Sequence, residues 1–121
     1  MTRPVLTEQQ IHAEVQATIA QFNQDIVQEV QLAIAQHKVV VVGMTQNPFV
    51  KNVRALLSEA GISYHYLEYG SYLSQWKRRL ALKMWTGWPT FPMVFVKGNL
   101  IGGAENLATL IKSGELKKLL A

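Results

Sequence analysis

Four consecutive valines constrain this chain more than any other feature. Lys38-Val39-Val40-Val41-Val42 offers apolar, β-branched side chains to both sides of a pleat, so it reads as a strand covered on both faces. Shortly after it, Asn47-Pro48 joins a preferred N-cap to the residue favoured at the first helical position. The helical pattern then runs to Ala60 and stops at Gly61, a good C-cap. Residues 62–69, with an isoleucine and three tyrosines, favour a second strand. A strand, a crossover helix and a second strand place the two strands parallel in one sheet and make the domain α/β.

The remaining elements follow from turn residues and periodicity. A helix is expected over residues 71–85. Strands over 93–97 and 99–101 form a hairpin turning at Gly98, which Gly102-Gly103 breaks, and two short helices over 105–112 and 115–120 are separated by Ser113-Gly114. Ahead of the valines, Ile11, Val15, Ile19, Phe22, Ile26 and Val30 recur at intervals of three and four, the stripe of an amphipathic helix. Thr7-Glu8-Gln9-Gln10 reads as a capping box with Thr7 as N-cap. Asn23 and Asp25 could restart a helix, so residues 8–36 form either one long helix or two shorter ones.

With 121 residues the chain is expected to be one domain with a core of its own. No apolar run, Val39–Val42 included, is longer than four residues, too short to span a bilayer. The N-terminus turns polar without the apolar stretch of a signal peptide, so a cytoplasmic protein is the expectation. Charge is uneven: through Ala60 four Lys/Arg face five Asp/Glu, and from Gly61 eight face three. The basic residues are dispersed except for Lys77-Arg78-Arg79 and Lys83, which read first as a solvated helix face and otherwise as an anion-binding or acidic-partner patch, and neither nucleic acid nor membrane is an expected partner. His12, His37 and His65 show no metal-ligand spacing, and no metal site is expected; His37 ends a helix, where a cation favours the dipole. There is no cysteine, which excludes disulfides and thiolate ligation.

Residues 39–57, VVVVGMTQNPFVKNVRALL, resemble the strand, active-site turn and helix of glutaredoxins. The two-cysteine turn of that family reads Cys-Pro-aromatic-Cys, and here it reads Asn47-Pro48-Phe49-Val50. A second anchor, Trp88-Pro89-Thr90-Phe91-Pro92 followed by Leu100-Ile101-Gly102-Gly103, is similar to the monothiol, iron–sulfur-type members, although the loop between Val42 and Asn47 lacks their insertion. The resemblance covers residues 24–121. It implies a thioredoxin-like, three-layer domain with a mixed four-stranded sheet over 24–121, preceded by an N-terminal helical extension over 1–23.

Several site expectations come with that resemblance. Pro92 should follow a cis peptide bond, and the backbone of Phe91 should be free to pair, strand-like, with the cysteinyl part of glutathione. A lysine that holds a glutathione carboxylate in two-cysteine members is replaced by Met44. Arg79, in Arg79-Leu80-Ala81-Leu82-Lys83, matches the Arg-x-x-Leu-Lys of monothiol members, and the other carboxylate belongs to the turn at Gly103, Ala104 and Glu105, whose amides open a helix. With Thr45, Asn47, Phe49 and Pro92 these residues make the candidate ligand set; there is no catalytic set, since Asn47 and Val50 occupy the two cysteine positions. Thiol–disulfide exchange needs a thiolate and cluster ligation needs thiolates, so neither redox turnover nor an iron–sulfur cluster is expected.

The leading expectation is a groove that binds glutathione, a glutathionylated protein or an extended peptide. A glutathione-linked oxidoreductase or electron-transfer component using sulfur from glutathione or a partner is one alternative, and a structural or assembly role led by the N-terminal helix is another. That helix must bury its stripe, and packing against the same helix of a second chain, as a homodimer, is favoured over packing on its own domain.

Overall fold

The computed structural model describes residues 2–121. The valine run forms β1 (Val39–Gly43), with every residue buried. Val40 and Val42 face one side of the sheet, where Ile26, Val30, Leu82, Met93 and Phe95 close the core. Val39 and Val41 face the other, among Val53, Leu57, Val94, Val96, Leu107 and Leu116. The strand is apolar on both faces because helices cover both. Each fully buried valine contributes about 1.5–3 kcal/mol of transfer free energy.

β1 pairs in parallel with β2 (His65–Glu68) and antiparallel with β3 (Met93–Val96), which pairs with β4 (Asn99–Gly102). The order β2-β1-β3-β4 is the mixed four-stranded sheet of a thioredoxin-like fold. The hairpin turns at Lys97-Gly98, both with positive φ. Among the described residues six α-helices run in chain order as α1 (Ala13–Gln21), α2 (Gln24–Gln36), α3 (Pro48–Glu59), α4 (Trp76–Thr86), α5 (Ala104–Lys112) and α6 (Glu115–Leu120). α2 and α4 pack on one face of the sheet, and α3, α5 and α6 on the other.

Three expectations are corrected. First, of the two alternatives for residues 8–36 the structure has the two shorter helices, divided at Asn23, but the first of them does not start at the Thr7 cap. Gln10 Oε1 accepts from Thr7 N–H at 2.9 Å, but the box closes only a single 3₁₀ turn over Glu8–Gln10. α1 starts later, capped by His12, whose Nδ1 accepts from Glu14 N–H at 3.2 Å, and a left-handed Asn23 (φ 44°) separates it from α2. Second, β2 begins only at His65. Third, the helix expected from residue 71 begins at Trp76, because Ser71 and Ser74 close a turn of their own and Gln75 is left-handed.

The N-terminal stripe divides at that break. Ile26 and Val30 are fully buried, whereas Val15 and Ile19 stay about half exposed. His37 caps the C-terminus of α2, as expected for a helix end, and its ring stacks on His65 with centroids 4.2 Å apart.

Candidate functional site

The turn between β1 and α3 is fixed before any ligand is considered. Thr45 N–H donates to Gly70 O (2.7 Å) and Tyr69 N–H to Gly43 O (2.9 Å), which extends the β1–β2 register into the loop. Asn47 is buried, and its Oδ1 accepts from Phe49 N–H (2.9 Å) and Val50 N–H (3.0 Å). These are two of the amides that a helix N-terminus leaves without partners. The accepting role fixes which end of the amide is oxygen, and its Nδ2 reaches Tyr72 Oη at 3.4 Å. Val50 points inward, its γ carbons 2.7 and 2.9 Å from where a Cβ on Gly43 would stand. Position 50 is core.

Across a cavity of about 470 Å³ stands the segment from Trp88 to Pro92. The Phe91–Pro92 bond is cis. The β1–β3 ladder begins at Met93, so the backbone N–H and C=O of Phe91 lie outside it. The far wall is the turn into α5, with Gly103, Ala104 and Glu105. There Gly103 N–H is taken by Asn106 Oδ1 (3.1 Å). The next amides of α5 have no residue behind them in the helix to donate to, and this positive helix end faces the cavity.

Arg79 and Lys83 supply the cationic side. Arg79 corrects the reading of the basic run as a solvated face. It is buried, and its Nη1 donates to the carbonyls of Tyr69 (2.9 Å) and Ser74. Burial pushes the guanidinium below its ordinary pKa, with Tyr72 pulling weakly the other way. Among the described residues the ion pair is Arg78 with Asp25 (3.3 Å), so Arg79 has backbone dipoles around it and no counter-charge. A buried cation without an anion beside an open cavity favours an anionic ligand. Lys83 lies over the Phe91 ring, its Nζ 5.8 Å from the centroid.

Of the residues singled out from sequence, Asn47, Phe49, Arg79, Phe91, Pro92, Gly103, Ala104 and Glu105 line this one cavity, and Met44 forms part of its wall. Thr45 does not line it: its backbone is spent on Gly70, and it stays at the loop's shoulder. Sequence reasoning missed Tyr72 and Asn106. Asn106 had a signal, an amide side chain three residues past the Gly103 that precedes a helix. Tyr72 had none, because a tertiary approach over the β2–α4 loop brings it to Asn47.

The comparisons agree with this geometry. A family model described as Glutaredoxin matches residues 39–101. A "Glutaredoxin-like protein" of Dictyostelium discoideum is 47% identical over 98 residues, covering 81% of this chain and 80% of its own length. Glutaredoxin-C1 of Arabidopsis thaliana is 33% identical over 95 residues, covering 78% and 76%. Among solved structures, the buckwheat glutaredoxin–glutathione complex aligns with a TM-score of 0.72 at 25% identity, over 83% of this chain and 91% of that one. Reduced glutaredoxin C1 from Populus tremula x tremuloides aligns at 0.73 with 30% identity, over 85% and 88%.

Proposed function

The chain belongs to the glutaredoxin family, and from that premise we propose that its cavity binds glutathione, free or carried on another protein, without thiol exchange of its own. The observation that carries this reading is the buried Arg79, whose charge has no counter-ion and borders the cavity. Glutathione brings two carboxylates and one ammonium. Arg79 and Lys83 suit one carboxylate, and the N-terminus of α5 suits the other. Glu105, on the same wall of the cavity, suits the ammonium, and the free backbone of Phe91 suits the peptide unit between them. An extended peptide with an acidic end meets the same donors.

At the centre of the groove, where the family carries a nucleophilic sulfur, Asn47 presents a neutral amide whose oxygen already accepts two hydrogen bonds. It can neither attack a disulfide nor replace a thiolate on iron. The [2Fe–2S] group of monothiol relatives therefore does not fit this donor set, and no step is assigned to it.

Isothermal titration calorimetry with reduced glutathione, oxidised glutathione and a glutathionylated peptide tests the reading. Saturable binding at one site per chain, lost when Lys83 and Arg79 are neutralised, is the expected result. Silence with all three ligands at millimolar concentration would refute it.

A further inference from the structure

A second surface stands apart from the cavity just described. On α4, Trp76, Leu80 and Met84 follow one another at intervals of four and so lie on one face. All three are open, at 57%, 38% and 46% relative exposure. Met84 also lines a cleft of about 290 Å³ with Trp85, Ala81, Ile19 and Phe22. That cleft joins the α4 stripe to the uncovered face of α1, where Val15 and Ile19 are 49% and 45% exposed. The two stripes meet at this cleft and make one contiguous apolar surface rather than scattered single residues.

Charge says what covers it. From Pro4 to His37 the chain has four acidic residues and no Lys or Arg, whereas α4 has Lys77, Arg78, Arg79 and Lys83 and no acid. Within the chain, Arg78 pairs with Asp25 and Glu29 accepts from the Tyr69 hydroxyl. Glu8 and Glu14 on one side, and Lys77 on the other, have no ion-pair partner among the described residues. The surface is therefore apolar along its middle, acidic at the α1 edge and basic at the α4 edge. A patch polarised in this way is complementary to a copy of itself turned through a two-fold axis, because the rotation lays each acidic edge on a basic one.

We infer that this face is the interface of a symmetric dimer, with α1 of each chain against α4 of its partner. The contact is α1 on α4, not α1 on α1. The ligand cavity opens elsewhere and is not needed for the pairing.

Sedimentation velocity of the full chain, from one to several hundred micromolar and in low salt, reads the dimer directly. Dimer should dominate at tens of micromolar and weaken as salt screens the edges. Met84→Glu with Ile19→Glu should leave monomer whose circular dichroism spectrum and melting are those of the parent. Lys77→Glu should weaken association about tenfold, since two-fold symmetry alters two contacts at once. Adding Glu14→Lys to that variant should restore most of the loss. A wild-type chain that stays monomeric throughout would overturn the inference and leave the stripe to a different partner. A dimer untouched by the stripe substitutions, or a charge reversal without rescue, would overturn it as well.

Discussion

Replacing Asn47 with alanine isolates what this residue does in the folded protein. The substitution removes the oxygen that accepts from Phe49 N–H and Val50 N–H. Losing an N-cap side chain costs about 0.5–2 kcal/mol. Here two amides lose their partner together, and the bond to Val50 is buried, so water cannot replace it and the cost lies near the upper limit, about 2 kcal/mol. For a chain of this size each kcal/mol lowers Tm by about 3–6 °C, so Asn47→Ala should melt about 6–12 °C below wild type in differential scanning calorimetry. Asn47→Ser, which keeps a capping oxygen, should recover most of that. Tyr72→Phe, which removes only the long 3.4 Å contact to an exposed hydroxyl, should stay within about 0.5 kcal/mol of wild type. An alanine variant as stable as wild type would refute the assignment of Asn47 as the cap that holds the start of α3.

The same amides should act on a thiol placed there. Asn47→Cys should titrate below the ordinary cysteine value of about 8.5, read by thiolate absorbance, and should show glutathione-dependent reduction of a mixed disulfide, whereas the wild type should stay at background in the same assay. Arg79→Met should weaken glutathione about tenfold by calorimetry, the loss of one charge-assisted contact worth about 1.5 kcal/mol. It should also destabilise the fold by about 1–3 kcal/mol in urea, since the Tyr69 and Ser74 carbonyls lose their donor. Burial, then acceptance by Glu68 and Glu29, holds the Tyr66 and Tyr69 phenols above their ordinary pKa. Their contribution is complete below the unfolded value of about 10 and is lost as pH rises toward the folded one. Tm should therefore fall on going above pH 10, and Tyr66→Phe with Tyr69→Phe should flatten that slope.

What could be read from sequence was local. The valine strand, the Asn47-Pro48 helix start, the hairpin at Gly98 and the helix after Gly103 each announce themselves within a few residues, through branching, capping or a turn that needs glycine. What could not be read depends on distant partners. Arg79 sits in a run of three cations that looks like a wet helix face, and only the approach of the Tyr69 and Ser74 carbonyls makes it a buried one. The late start of α4 reflects a competition in which serine side chains took the backbone of residues 71–74. Periodicity found the apolar face of residues 11–30 but could not say that its first half would lie open while its second half closed the core.

The close approach of Val50 to Gly43 has a consequence for how this chain can change. A Cβ at position 43 would stand 2.7 and 2.9 Å from the two γ carbons of Val50 and 3.0 Å from Tyr66 Cε1. A cysteine at 50 has a single γ atom and frees part of that space. Val50→Cys followed by Gly43→Ala is therefore a passable route, whereas Gly43→Ala made first meets a clash that the second change only later relieves. The two positions are epistatic: their coupling energy is the same whichever change comes first, but the intermediate with alanine at 43 and valine at 50 carries the clash, whereas the one with cysteine at 50 and glycine at 43 does not. A chain that keeps valine at 50 has given up variation at 43, and a chain that had already filled 43 would have no single-step path to this valine.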